Sequence, residues 1–417
     1  MVFLVYWVAV NPPGQRQHIS TLRLHSASLV WLVRFVILMD TLLYTSIIPL
    51  LPQLNVEAGL SESALGLLLG AYPFAGIFAC VPFGLYSDRR SPRAPLILGA
   101  GGLAVGSVLI ALSPTSLAIG LGRLIHGLSA AAVWTAGLVT VSIIAGPQHR
   151  GREVGLAYGA ATLGGLLGPL LGGYMSERFG FTALYWAAAV LGIGVTAVLV
   201  LVYRRVEWPN APRSAPPGAE RDSRPQPNRQ AVLLTVVLLT LLVTVIDGVL
   251  LLFMPLKLSR MWGLTAFAIG EVYVVWSVFL FASQVGSGYW ADRFGRRRPL
   301  IIGLLILGIS LLGFGLAVNF GLALLTLHVI AIGFGIAGTV TTPVLTDAWE
   351  VRRPAGTGLG TAYGVANTVW AAGFLIGNAG GGWLLTQLEM APILSGLALL
   401  VLLSIPALFL MKGNMEI

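Results

Sequence analysis

The run from Leu29 to Pro52, LVWLVRFVILMDTLLYTSIIPLLP, is mostly apolar and carries a single acid, Asp40, in its middle. It is long enough to cross a bilayer, which takes about 20 residues at ~1.5 Å each. Counting from Leu29, Asp40 lies roughly 16 Å in, near the midplane of a ~30 Å hydrocarbon core. A charge at that depth costs about 2.5–3.5 kcal/mol or more unless it faces a cavity or a partner. Intramembrane acids usually mark transport pathways. The plainer alternative is an acid neutralised by protonation, or one that only pins helices together.

The rest of the chain has the same character. Of 417 residues, 56% are hydrophobic and 10% charged, whereas a soluble globule carries about 25% charged residues. The chain reads as an all-α membrane protein with twelve transmembrane helices, at about 29–52, 63–86, 94–112, 116–144, 153–173, 182–203, 231–252, 265–288, 299–317, 321–345, 357–381 and 392–411. With the N-terminus inside, 20 of the 25 Lys and Arg fall on inner segments and 3 on outer ones, Arg178, Lys257 and Arg260. Arg34 and Arg123 lie within spans. By the positive-inside rule this places both termini in the cytoplasm. It also accounts for the net charge of +9 without nucleic acid. The lone Cys80 excludes an internal disulfide or a cysteine metal cluster and reads as a small packed residue.

The chain repeats itself. Asp88 recurs as Asp292, 204 residues on; Ala157-Tyr158-Gly159 recurs as Ala362-Tyr363-Gly364, 205 on; Asp40 answers to Asp247, 207 on. Gly164, Gly168 and Gly172 answer to Gly373, Gly377 and Gly381, each 209 on. Four landmarks with nearly one offset mean two pseudo-symmetric six-helix bundles, 29–203 and 231–411, a plan known for secondary transporters with the substrate site between the halves. Residues 204–230, rich in Pro, Arg and Ser, read as a flexible cytoplasmic linker. Residues 1–28 form a cytoplasmic N-terminal segment and 412–417 a tail. The apolar stretch 1–10 is too short to span and follows no basic region, which argues against a signal peptide. Asn11-Pro-Pro-Gly14 is expected to break continuity with the first span.

Several motifs carry chemistry. The loop after span two reads Gly84-Leu-Tyr-Ser-Asp88-Arg89-Arg90-Ser91-Pro92-Arg93. Its copy reads Gly288-Tyr-Trp-Ala-Asp292-Arg293-Phe294-Gly295-Arg296-Arg297-Arg298. Glycine permits close helix approach, and the aspartate accepts hydrogen bonds from arginines or a helix N-terminus. Together they suit a cytoplasmic latch; plain positive-inside anchoring would need the arginines but not the fixed spacing. These loops resemble the signature of the major facilitator superfamily, G-x-x-x-D-R/K-x-G-R/K-R/K. The second copy is complete, while Ser91 and Pro92 depart from it in the first.

Span four carries Gly122-Arg123-Leu-Ile-His126-Gly127, with Arg123 and His126 three apart on one face. A buried arginine needs a carboxylate or carbonyl, and Asp40 is the nearest acid in depth. The run is similar to the R-x-x-Q-G motif of proton-coupled antiporters, where the resemblance assigns the arginine to proton coupling. His126 replaces the Gln, either as a proton carrier titrating near pH 6.5 in isolation or as a neutral hydrogen-bonding ring. Span five, Gly164-Gly165-Leu-Leu-Gly168-Pro169-Leu-Leu-Gly172-Gly173, is similar to the antiporter motif G-x-x-x-G-P-x-x-G-G. Its glycines make a groove for another helix and Pro169 implies a kink. Span eleven has Asn378 where the proline would be.

Within the superfamily the first span resembles that of drug/proton antiporters and vesicular amine transporters, with a central Asp and closing P-x-x-P. Asp247 falls near an acid of the amine transporters. Their span-two lysine has no counterpart in Leu69–Pro82, and their acids in spans ten and eleven align with Gly338 and Asn367. Monoamine recognition is therefore not implied; a less demanding amphipathic or cationic substrate fits better. Candidate cavity residues are Tyr44, Tyr72, Trp134, Tyr158, Tyr363, Asn367 and Trp370, since Trp and Tyr faces attract organic cations by ~0.5–2 kcal/mol. Core packing or lipid exposure is an equal alternative for each aromatic. Glu271 and Asp347 read as rim charges.

The expectation is a monomeric, proton-coupled antiporter of a small organic molecule, working by alternating access in a plasma, vesicle or vacuole membrane. Its partners are protons, substrate and lipid, with no cofactor. A uniporter or symporter of a neutral solute such as a sugar, or a non-transporting sensor, are the alternatives. No nucleophile–base set, metal cluster or nucleotide loop supports an enzyme or ATP drive.

Overall fold

Backbone polar groups in a bilayer have no water to bond, so an apolar span satisfies them within its own helix. The computed structural model describes residues 13–205, 229–351 and 358–410. Among the described residues every element is helical. Eleven helices are long and apolar enough to cross a membrane: α1 (Ala27–Val56), α2 (Glu62–Arg89), α3 (Arg93–Leu112), α4 (Ser116–Gly146), α5 (Gln148–Phe179), α6 (Ala183–Arg204), α7 (Leu234–Trp262), α8 (Ala266–Ala291), α9 (Arg297–Leu316), α10 (Phe320–Thr339) and α11 (Leu359–Leu385). A shorter apolar helix, α12 (Met390–Pro406), follows. Each half begins and ends on one side of the molecule, the linker face; the other side is the far face.

The internal repeat is visible in the turns. Gly59 and Gly263, 204 residues apart, adopt φ of 64° and 65°, a conformation that favours glycine. After them Leu60 and Leu264 donate backbone bonds to Leu54 and Leu258 at 3.2 and 3.4 Å. Ser61 and Thr265 then cap α2 and α8, accepting from Ala64 and Ala268 at 3.2 and 3.3 Å. Between α4 and α5 the chain turns at Gly146, with φ of 69°.

Small residues set how closely the helices approach. Gly164, Gly168 and Gly172 lie against the α1 backbone at Leu38, Leu42 and Ser46. The antiporter-like glycine row thus seats α5 on the helix that carries Asp40. Across the two halves, α2 packs on α11 and α5 on α8. Along α2 the contacts run from Gly66 against Asn378, through Gly76 against Ala371, to Gly84 against Gly360. The close α5–α8 approaches at glycines join Gly173 to Ala266 and Gly270 to Pro169, near the far face.

Polar contacts close both ends. On the linker face Asp88 accepts from the N-terminus of α11: Gly358 N at 2.7 Å, Gly360 N at 2.8 Å, Thr361 N at 2.9 Å and Thr361 Oγ1 at 2.6 Å. Free N–H groups and the helix dipole make that end a natural seat for a carboxylate. On the far face Arg260 Nη2 donates to Glu62 Oε1 at 2.5 Å and Asn55 Oδ1 at 2.9 Å. There too Phe267 N donates to Glu177 Oε1 at 2.8 Å.

Several expectations need correction. The expected break at Asn11–Gly14 falls partly outside the described residues; from Pro13 the chain is helical to Ser46. The seventh helix runs on to Trp262, which makes Lys257 a buried helical residue and not a loop cation. Its Nζ donates to the Phe314 and Gly315 carbonyls at 2.5 and 3.1 Å, capping α9. Arg34 pairs with Glu153 of α5. Residues 1–12, 206–228, 352–357 and 411–417 lie outside the described residues, as do the side chains of Asp292 and Asp347.

Two outcomes follow from this packing. Gly172→Ala places a methyl against the Ser46 carbonyl, and is expected to destabilise by about 1–3 kcal/mol. Gly155→Ala meets nothing within 4 Å and is expected to gain up to ~1 kcal/mol of helix propensity; thermal unfolding in detergent reads both. Cys80, the only cysteine, is buried in α2 where Gly364 of α11 crosses it. Asp88→Ala is therefore expected to raise the rate of Cys80 alkylation by N-ethylmaleimide several-fold, while Arg260→Ala, at the other end of the interface, does not.

Candidate transport site

Asp40 sits on the face of α1 turned toward α2 and α4, and is 1% exposed. Tyr72 of α2 donates its hydroxyl to both carboxyl oxygens, at 2.9 and 3.1 Å. Trp134 of α4 donates Nε1–H to Oδ2 at 2.9 Å. Both donors are neutral and both belong to the same half as the acid. Burial of a carboxyl without such donors would be strongly unfavourable. Of the two settings that would lower the cost of this charge, a cavity or a partner, Asp40 has partners. The Trp134 ring continues to Tyr158 of α5, 5.4 Å between centroids, and Tyr158 is partly exposed.

The expected pairing of Asp40 with Arg123 is not met: no ion pair or hydrogen bond joins them among the described residues. Arg123 is 1% exposed, and its Nη1 donates to the Tyr44 carbonyl at 3.0 Å. That carbonyl lies where α1 passes into the single 3-10 turn Ile48–Leu50 around Pro49. The guanidinium also lies over the rings of Tyr44 and Tyr72, 5.1 and 5.5 Å from their centroids. Tyr72 gives its face to the arginine and its hydroxyl to the acid, so it links the two groups without direct contact.

His126 shares the arginine's helix but serves another neighbour. Its Nε2 lies 3.2 Å from both the Leu103 carbonyl and the Ser107 hydroxyl of α3. A carbonyl only accepts, so Nε2 carries the hydrogen and Nδ1 is bare; Nδ1 has no partner. This geometry is that of a neutral ring joining α3 to α4, apart from Asp40.

The remaining candidates divide by location. Tyr363 of α11 meets Ser142 of α4 at 3.2 Å between hydroxyls, bridging the halves. Trp370 stacks on Phe374 at 4.0 Å, and both rings lie about one ring away from Tyr44, at 6.2 and 6.1 Å. Tyr44 in turn lies 4.4 Å from Tyr72. These aromatics gather along the seam between the bundles, on or beside the acid's own shell. Asn367 Nδ2 is buried and unbonded. Asp247 lies in α7, with the hydroxyls of Tyr44 and Tyr273 within electrostatic range and no hydrogen bond among the described residues.

Of the latch residues, Gly84 lets α2 touch Gly360 and Asp88 holds α11. Arg93 lies 5.7 Å over the Tyr203 ring of α6 and does not bond Asp88; Arg89 is exposed on the same end of α2. In the second copy Gly288 approaches Thr339, Gly295 ends its helix with φ of 80°, and Arg293 Nη1 contacts the Tyr289 hydroxyl at 3.4 Å. Arg296 precedes α9 as its N-cap. Pro169 stands where α5 meets Gly270 of α8. Sequence reasoning missed Thr361, Ser142 and Tyr273, which become functional candidates only through helix pairing. It noted Asn378 only as a substitution for proline; the structure places it in a π-helical turn, Ile376–Gly380.

The comparisons with known proteins agree with this architecture. A family model described as Major Facilitator Superfamily matches residues 30–246 and 236–415. A "Multidrug resistance protein MdtL" of Escherichia fergusonii is 26% identical over 69% of this chain and 73% of its own length. An "MFS-type transporter ppzB" of Metarhizium rileyi is 30% identical, but over 36% of this chain and 32% of its own, so the chain matches about a third of such fungal relatives. Among solved structures, the human organic anion transporter MFSD10 (TETRAN) superposes with a TM-score of 0.69 at 19% identity, over 95% of this chain and 100% of its own. An inward-facing, unoccupied bacterial homologue of the human lysosomal transporter Spinster gives 0.65 at 16% identity, over 93% and 95%. With twelve apolar helices in two repeated halves and a family model that covers nearly all of it, the chain belongs to the Major Facilitator Superfamily of membrane transporters.

Proposed function

We propose that the protein is a proton-coupled antiporter that moves a small amphipathic or cationic organic molecule out of the cytoplasm, across the plasma membrane or into a vesicle or vacuole. The observation that carries this reading is the setting of Asp40: an acid in mid-span, held by two neutral donors and, among the described residues, by no cation. Neutral donors tolerate both the charged and the protonated carboxyl, since hydroxyl and indole groups gain or lose one hydrogen bond at modest cost, about 0.5–1.5 kcal/mol. A salt bridge to arginine would instead hold it charged.

The cycle runs between two closures. With the Arg260–Glu62 contact broken the far face opens, and with the Asp88–α11 contacts broken the linker face opens. By the concentration of Lys and Arg on the inner segments the linker face is cytoplasmic. Protonation of Asp40 from the far side and deprotonation to the cytoplasm would accompany substrate movement in the opposite sense. Asp247 supplies a second acid on the other half. The multidrug resistance relatives support an organic substrate class. The protein acts as a monomer, since all parts of this scheme lie in one chain.

In proteoliposomes with ethidium as probe, Asp40→Asn is expected to cut pH-gradient-driven transport by about tenfold or more, ~1.4 kcal/mol of coupling, and to spare downhill exchange. Tyr72→Phe and Trp134→Phe weaken coupling in the same direction and by less. Wild-type coupling in Asp40→Asn would contradict the reading, and so would a pH gradient that neither drives nor follows flux in the wild type, the behaviour of a neutral-solute uniporter.

A further inference from the structure

A second polar cluster lies about one helical turn beyond Asp40 toward the far face, where α1, α7, α8 and α11 converge. Asn378 is fully buried, at 0% exposure, and among the described residues both of its amide atoms lack partners. The hydroxyls of Tyr44 and Tyr273, in residues 6% and 5% exposed, are also buried and unbonded. Tyr44 and Asn378 are close enough to interact although no hydrogen bond of standard geometry joins them, and both tyrosine hydroxyls lie within electrostatic range of Asp247. The backbones meet here as well: a Cβ at Gly248, next to Asp247, would lie 3.1 Å from Asn378 N. Asn378 sits in the π-turn Ile376–Gly380, a departure from α-helix that is frequently found at functional sites.

So many unsatisfied groups in one place are unusual, because each leaves about 1–3 kcal/mol of desolvation uncompensated. Their chemistry is specific. One carboxyl, one amide oxygen and two phenol oxygens offer acceptors from several sides with a single negative charge. Tyr44, Trp370 and Phe374 add aromatic faces beside them. A protonated amine fills that demand: its N–H groups bond the oxygens, its charge meets the acid, and its apolar body lies on the rings. A trimethylammonium head has no N–H and would leave the oxygens unbonded.

We propose that Tyr44, Asp247, Tyr273 and Asn378 form the recognition pocket for a primary or secondary ammonium head of the transported molecule, with Tyr273 and Asn378 as its specificity-determining residues and Asp40 left to the proton. This rests on the organic-cation reading above and adds a division of labour between the two acids. Asp40 has its donors within its own half; Asp247 has none and waits for a guest.

The test is equilibrium binding to the full-length protein in nanodiscs, with 2-(1-naphthyl)ethylamine and its N,N,N-trimethyl analogue as probes. The primary amine is expected to bind about tenfold or more tightly than the trimethyl compound. Asn378→Leu and Tyr273→Phe should each reduce that preference at least threefold, and Asp247→Asn should abolish amine binding. Asn378→Leu supplies a second readout: replacing an unsatisfied amide by an apolar isostere should raise the unfolding temperature of the ligand-free protein. Equal binding of the two probes overturns the proposal. So does a fall in unfolding temperature for Asn378→Leu with amine affinity unchanged, the mark of a structural asparagine. Thermal protection by sodium chloride, absent with choline chloride and lost in Asp247→Asn, would assign the pocket to sodium instead. Binding needs no gradient, so an uncoupled protein would still pass. Conversely, absence of amine binding with pH-driven ethidium transport intact would sink the pocket and spare the antiport reading.

Discussion

The arrangement depends on one carboxyl being buried, among the described residues, without a counter-ion. Asp40 keeps company with a phenol and an indole, and the nearest guanidinium reaches it only through the Tyr72 ring. An ion pair between Asp40 and Arg123 would have been the simpler way to bury two charges, but a buried pair resists separation. Here each charge has its own solvation: the arginine a helix carbonyl and two aromatic faces, the acid two neutral donors. That separation leaves the carboxyl able to change its protonation state without dismantling an ion pair. Tyr72 touches both groups.

The two halves are joined by contacts of a similar logic. At the linker face an aspartate of one half holds the helix N-terminus of the other; at the far face an arginine of the second half holds an acid and an amide of the first. Both are polar, peripheral and breakable by water. Between them the α2–α11 seam is lined by small residues that bring backbones into contact with few side-chain interlocks. Such a seam can tilt about either closure, which is what alternating access requires.

Much of this was legible in the sequence. Span positions follow from apolar length, and the repeat from four landmarks at nearly one offset; the paired glycine turns at Gly59 and Gly263 show that repeat in the backbone. The glycine row of α5 and the Asp88 latch were readable because their spacing is local. What escaped was tertiary. Depth along a helix put Asp40 and Arg123 at one level, but not the rotation that sends Arg123 to the Tyr44 carbonyl and His126 to α3. Lys257 looked like a loop cation because charge marks a span's end in composition, yet a neighbouring helix's free carbonyls gave it a buried seat. Asn378 escaped for a different reason: a π-turn has no periodicity signature, and the only hint was an asparagine where the other half has Pro169.

The central claim is that Asp40 itself gains and loses the proton. Infrared difference spectroscopy of the reconstituted protein during a pH titration tests it most directly, because a protonated carboxyl has its own C=O stretching band. The account predicts a band that grows as pH falls, is absent in Asp40→Asn and persists in Asp247→Asn. A band unchanged in Asp40→Asn would place the proton elsewhere and contradict it.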